Sequence, residues 1–293
     1  MKRFLVLGIC LLMATSAFAQ QQFITIATGG TAGTYFPLGG ALADIWNKNI
    51  PKMNATAQAT GASIANINLL KGGNVDVIFT QNDVASYSYN GTELLKDQAY
   101  KDLRGMACLY NETIQLVALE SSGIKTITDL KGKKVSVGAA GSGTEANARQ
   151  ILESAGLTYN DIKVQYLSFG ESASNMKDGN IDAAFNTAGI PTAAIQDLAV
   201  SKKMVLVPID GQVATKLMAK YPFYALQIVP AGTYQGQNQN VTTVAVKSML
   251  AVSSKLSGDL VYKMLETMYA NTDRLIAAHS QGKNIKIESA LEG

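Results

Sequence analysis

The stretch ITIATGGTAGTYFPLGGALADIW, residues 24–46, is matched further along the chain by VSVGAAGSGTEANARQILESAG, residues 135–156. Each opens on the period-2 alternation of a strand, passes through a loop of Gly, Thr and Ser, and continues with apolar residues at helical spacing. The helical positions are Leu38, Ala41, Leu42 and Ile45 in the first stretch and Ala148, Ile151, Leu152 and Ala155 in the second. A second pair of matches follows in the same order. GNVDVIF (residues 73–79) corresponds to GNIDAAF (residues 179–185), and each is preceded by a polar helix-like segment, GASIANINLLKG or GESASNMKDG. A polar tip follows each, at residues 80–83 and 186–189. Two ordered matches predict two α/β lobes of like topology.

Two further strand-like runs bracket the second copy, LYNETIQLVALESSGI (residues 109–124) and VTTVAVKSMLAV (residues 241–252). They read as two chain crossings between the lobes, which puts the N- and C-terminal parts in one lobe and makes a clamshell with a hinge. SGDLVYKMLETMYAN, residues 257–271, reads as a helix with Leu260, Met264 and Met268 on one face. The expected division is a leader at 1–19, one lobe from 20–112 plus 247–293, and a second lobe from 113–246.

Lys2 and Arg3, the apolar run from Phe4 to Met13, and Ala17-Phe18-Ala19 form the three parts of an export signal, with cleavage expected after Ala19. The apolar run falls short of the ~20 residues needed to span a bilayer, and Ile9 before Cys10 does not suit a lipidation site. Export implies a soluble periplasmic protein of 274 of the 293 residues. Without Lys2 and Arg3 the charged residues stand at 23 basic against 22 acidic, so there is no electrostatic case for nucleic acid or anionic lipid. Cys108 is then the one remaining cysteine and reads as a small buried hydrophobe. The single histidine, His279, reads as a surface residue in a helical stretch. No metal, cofactor or His-based catalytic apparatus is expected.

Ligands of open parallel α/β sheets bind beyond the carboxyl ends of the strands, which selects the loops at 28–35, 80–83, 138–145 and 186–189. The first loop lacks the Gly-Lys-Ser/Thr end of a phosphate-binding loop, and neither long loop carries the dinucleotide pattern G-x-G-x-x-G. What remains is a helix start with exposed backbone N–H groups and the hydroxyls of Thr31, Thr34 and Tyr35. Such an end attracts anions, by about 0.3 to 1 kcal/mol and up to ~2 when partly buried. Thr31 and Thr34 are also compatible with simple capping. Ser142-Gly143-Thr144-Glu145 has the capping-box spacing, with Glu145 expected to fold back on the cap. Capping and ligand binding are compatible there. Asp83 reads either as a solvated turn or as the acceptor for a ligand ammonium group.

These segments, together with VPAGTYQGQNQNVTTVAV, resemble the solute-binding receptors of tripartite ATP-independent periplasmic (TRAP) transporters, in their TAXI branch, over essentially the whole mature chain. The resemblance implies an α/β, two-lobed periplasmic binding protein fold (type II). It further implies a monomer that closes on a small organic anion, such as glutamate, 2-oxoglutarate or a related dicarboxylate, and delivers it to an ion-coupled TRAP membrane permease. By motif position it implies ligand contacts at Gly30, Thr31, Thr34 and Tyr35, at Ser142, Gly143 and Thr144, and at Gln81, Asn82, Asn186 and Thr187. None of the four loops contains an arginine to clamp a carboxylate. The rival class is an exported transferase or hydrolase using the same cleft. The missing G-x-S-x-G elbow and the distant histidine stand against it.

Overall fold

A computed structural model describes residues 21–293; the leader expected at 1–19, with Cys10, lies outside them. The first copy folds as β1 (Gln22–Ala27), α1 (Tyr35–Asn49), β2 (Met53–Gln58), α2 (Ser63–Lys71), β3 (Val77–Gln81) and α3 (Asn82–Asn90). After the long strand β4 (Leu103–Leu119) comes the second copy: β5 (Lys134–Ser136), α4 (Gly143–Ser154), β6 (Lys163–Gln165), α5 (Phe169–Lys177), β7 (Ala183–Ala188) and α6 (Ala193–Ser201). The chain continues through β8 (Met204–Val207), α7 (Gly211–Lys220) and β9 (Ala225–Val229). It returns along β10 (Val241–Ser253) and ends with α8 (Gly258–Ala270) and, one residue on, α9 (Thr272–Ala278), after which come two short 3-10 turns.

The sheet order is β2-β1-β3-β10-β4-β7-β5-β6, with β8 on β4 and β9 on β10. β1 runs parallel to β2 and β3, and β5 runs parallel to β6 and β7. The duplication is therefore visible as β2-β1-β3 and β6-β5-β7, arranged about an antiparallel central pair, β4 and β10. Those two strands serve both lobes. β4 gives Leu109 to the first core and Ile114 to the second, while β10 gives Leu250 to the first and Val246 to the second. Register shifts interrupt the β4–β10 ladder between Lys247 and Met249 and again between Leu250 and Ala251. Such irregularities increase local bend and twist where the pair passes between the cores.

Local sequence explains the elements that frame the loops. α1 tolerates Pro37 because the N–H groups of a first helical turn have no intrahelical partner to lose. It buries Leu38, Leu42, Ile45 and Trp46, and the Trp46 indole donates to the Met264 carbonyl at 3.0 Å, fixing α8 against the first lobe. Met264 and Met268 are fully buried on α8 as the helical spacing requires, and Leu260 packs at the edge of the same core. Gly39 is needed for close packing of α1 on the strand end, since a Cβ there would sit 2.4 Å from Thr28 Cγ2. The second core gathers Val135, Ile151, Leu152 and Phe185, the helical and strand residues of the second copy.

Two sequence expectations change here. Residues 80–83 and 186–189 are not free loops: β3 runs through Gln81 directly into α3, and β7 extends through Ala188. His279 is half-buried at the end of α9, where its Nδ1 accepts the Gln281 N–H at 3.1 Å and burial lowers its pKa. Cys108 is buried and free, and burial pushes its thiol pKa up.

Candidate functional site

A cavity of about 60 Å³ lies between the lobes. That is room for a few water-sized groups, so it suits a compact ligand rather than a peptide or a nucleotide. The starts of four helices line it: Thr34-Tyr35 of α1 and Ala62-Ser63 of α2 from the first lobe, and Ser142-Gly143 of α4 and Ser168-Phe169 of α5 from the second. Each helix start presents N–H groups without intrahelical partners and the positive end of a helix dipole. Among the described residues, none of those lining the cavity is Lys, Arg or His. Among the described residues, no group of His, Cys, Asp and Glu could hold a metal, and no helix is long and apolar enough to cross a membrane.

Of the residues expected from the sequence, Gly30, Thr34, Tyr35, Gln81, Ser142, Gly143, Thr144 and Thr187 are brought together around this cavity. Thr31, Asn82, Asp83 and Asn186 are not. Thr31 is exposed on the loop. Asn82 turns to β10, its Oδ1 accepting the Lys247 N–H at 2.9 Å. Asn186 and Thr187 are neighbours on one strand, so their side chains point to opposite faces of the sheet. Thr187 reaches the cavity, while Asn186 faces the layer of α5 and α6.

Asp83 is not a solvated turn. It is fully buried in the first turn of α3, where its carboxyl accepts the Val84 N–H at 2.8 Å and the Asn147 amide at 3.0 Å. Burial pushes its pKa up to about 7, against the pull of those hydrogen bonds. Asn147 also donates to the Tyr224 hydroxyl at 2.8 Å, and Gln150 donates to the Tyr87 hydroxyl at 3.1 Å. This polar layer joins α3 of the first lobe to α4 of the second.

The helix starts also differ from expectation in their caps. Thr34 occupies the N-cap position of α1 without making a side-chain cap bond. Ser142 does cap α4, accepting the Glu145 N–H at 3.1 Å. The Glu145 carboxyl does not return to that cap; it accepts from Arg149 at 2.6 Å and from the Tyr159 hydroxyl at 2.9 Å. A complete capping box stands instead at α5, where Ser168 and Glu171 exchange both bonds. That box was readable as S-x-x-E in SFGESAS, and it is the signal that could have placed Ser168 at a helix start.

The sequence reading missed Glu112. It lies on β4 opposite Val246, is 2% exposed, and lines the cavity. Its Oε2 accepts from the Tyr35 hydroxyl at 2.9 Å and its Oε1 from the Tyr110 hydroxyl at 3.4 Å, with a further contribution from the Gln81 amide. Burial raises the Glu112 pKa to about 8 despite these bonds. Burial, with the Glu112 charge second, pushes the Tyr35 hydroxyl well up. The side-chain oxygens Gln81 Oε1 and Thr187 Oγ1 are buried without partners. The cavity thus combines N–H donors at its helix starts with an acid from the crossing strand β4 and an unpaired amide oxygen from the end of β3.

Comparison with known proteins agrees with this architecture. Over 121 residues, 41% of this chain, the sequence is 33% identical to a protein of Escherichia coli (strain K12) described as "Putative aliphatic sulfonates-binding protein"; the match spans 33% of that protein's length. A "Putative L-Cystine ABC transporter" structure from Listeria monocytogenes superposes with a TM-score of 0.55 at 19% identity, covering 92% of this chain and 98% of that one. The periplasmic aliphatic sulphonate binding protein SsuA from Escherichia coli superposes with a TM-score of 0.50 at 17% identity, covering 91% and 80%. At such identities the superpositions establish the fold alone, the two-lobed α/β fold of periplasmic solute-binding proteins. Residues 26–293 match the NMT1-like family, and the chain belongs to that family.

Proposed function

We propose that the protein is an extracytoplasmic solute receptor that closes on one small organic anion and delivers it to a membrane permease. The observation that carries this reading is the convergence of four helix N-termini on a cavity with no cationic side chain. Backbone N–H groups and helix dipoles suffice to hold a carboxylate or a sulfonate. The lobes correspond to 20–112 plus 247–293 and 113–246, and the leader before Gln20 sends the receptor to the periplasm.

The TAXI-like segments favour glutamate, 2-oxoglutarate or a related dicarboxylate as the ligand, and an ion-coupled TRAP permease as the partner. Relatives named for aliphatic sulfonates and for ABC transporters favour a second reading, an organic sulfonate passed to an ATP-driven importer. Native mass spectrometry of protein purified without refolding identifies any retained ligand. Calorimetry with L-glutamate, 2-oxoglutarate and an alkanesulfonate should then give a stoichiometry near one and an affinity of about micromolar or tighter for one class. Two sites per chain, one in each lobe, would contradict the shared cavity. Turnover of any of these compounds would favour an enzyme.

A further inference from the structure

We propose that Glu112 is a specificity-determining residue of the cavity: it demands a hydrogen-bond donor from the ligand, best met by an ammonium group, and accommodates a ligand without one only by taking up a proton. The inference rests on the reading of the cavity as a small-anion site and names what that site discriminates.

The geometry behind it is an acceptor-rich end. A carboxylate has about four lone-pair sites. The Tyr35 and Tyr110 hydroxyls and the Gln81 amide approach Glu112, and Gln81 Oε1 stays without a donor at 2% exposure. The titratable groups facing Glu112 are the phenols of Tyr35 from α1 and Tyr110 from its own strand, and the Asp83 carboxyl from α3. From α4, α5 and β7 the cavity receives Ser142, Thr144, Ser168, Phe169 and Thr187, none of them charged. An ionised Glu112 therefore finds hydrogen bonds but no countercharge in the lining, and a buried carboxylate without a countercharge is disfavoured. A ligand ammonium supplies three N–H donors and the missing positive charge. An oxo or hydrocarbon substituent supplies neither, which leaves Glu112 to bind a proton.

The two kinds of bound complex then differ by one proton at Glu112, whatever the protonation of the ligand-free receptor. L-glutamate and 2-oxoglutarate are the probes, titrated by calorimetry near pH ~8 in two buffers of unlike ionisation enthalpy. The expected result is a proton exchange that differs between the two compounds by close to one. Above about pH 8, 2-oxoglutarate should weaken approximately tenfold per pH unit relative to L-glutamate. Glu112→Gln should erase both differences and shift the preference at least tenfold towards 2-oxoglutarate. A thermal melt checks that the variant is folded, and the wild-type proton count does not depend on it. Equal proton exchange for both compounds overturns this proposal and leaves the receptor reading intact. If neither compound binds at any pH, the dicarboxylate reading fails and this proposal falls with it.

Discussion

Thr34 and Gly189 meet across the cleft. The Thr34 hydroxyl oxygen accepts the Gly189 N–H at 3.1 Å, joining the start of α1 to the end of β7 between residues 155 apart in the chain. The same closure brings the Ala65 N–H to the Gly141 carbonyl at 3.1 Å and the Ala194 N–H to the Ala32 carbonyl at 3.4 Å. Thr34 thus holds the lobes together instead of capping its helix. Thr34→Ala should remove roughly 1 kcal/mol from the closed form, a loss of about fivefold in ligand affinity. Because no cap bond is lost, the melting temperature without ligand should hardly move. Calorimetry and a thermal melt on the same sample check both halves.

Ser142 should behave in the opposite way. Its side chain caps α4, so Ser142→Ala should cost ~1 kcal/mol of stability. Ser142→Asp keeps a good cap yet sets a carboxylate at the cavity wall. We expect that variant to melt near the wild-type temperature while losing most of its affinity for an anion. An Asp variant that binds normally would place the anion elsewhere.

Gly143 packs closely against Gln81 of the opposite lobe. A Cβ at this position would lie 2.2 Å from Gln81 Oε1 and 2.3 Å from Gln81 Cδ, atoms of the opposite lobe. Gly143 opens α4 in ordinary helical conformation, so alanine is harmless to the helix itself. Gly143→Ala should therefore oppose closure alone, with an affinity at least tenfold weaker and an unchanged ligand-free melt. Small-angle scattering with saturating ligand should show the variant more open than the wild type.

Asp83 makes the closed structure sensitive to pH. Its folded pKa, raised from 3.8 to about 7 by burial, means that the folded state binds the extra proton. The sign follows from linkage: stability from this group is fully present below about pH 4, falls as pH rises, and is gone above about pH 7. Asp83→Asn removes the titration, and at pH 8 it should be more stable than the wild type by up to about 4 kcal/mol. Below about pH 4 that difference should vanish. Melts of both proteins across this range test it.

Much of the architecture was legible because it is written locally. The alternation in ITIA and the spacing of Leu38, Leu42 and Ile45 are satisfied within one strand and one helix, and β1 and α1 form where they indicate. Repetition extended the reading, since two copies of one unit must bury their faces in similar ways. The resulting sheet order is the same on both sides of the central pair. Eight of the twelve expected contact residues share a cavity for the same reason: the carboxyl ends of equivalent strands, with the segments that follow them, open on the same edge.

The remaining positions were not legible, because each depends on which face of an element meets another far away in sequence. Neighbours within a strand could not tell Asn186 from Thr187; only the packing of β7 under α5 and α6 sends one away from the cavity. Asp83 looked like a polar tip until α4 covered it with Asn147. Glu112 sits in an ordinary-looking strand, and its importance comes from Tyr35 on a distant helix and from its burial where β4 and β10 pass between the cores. The sequence by itself determined the leading strand–loop–helix patterns and their twofold repetition, since those follow from periodicities of a few residues. The tertiary structure alone decided which polar groups lost their water, and desolvation is what gives Glu112 and Asp83 their altered acidity and the cavity its chemistry.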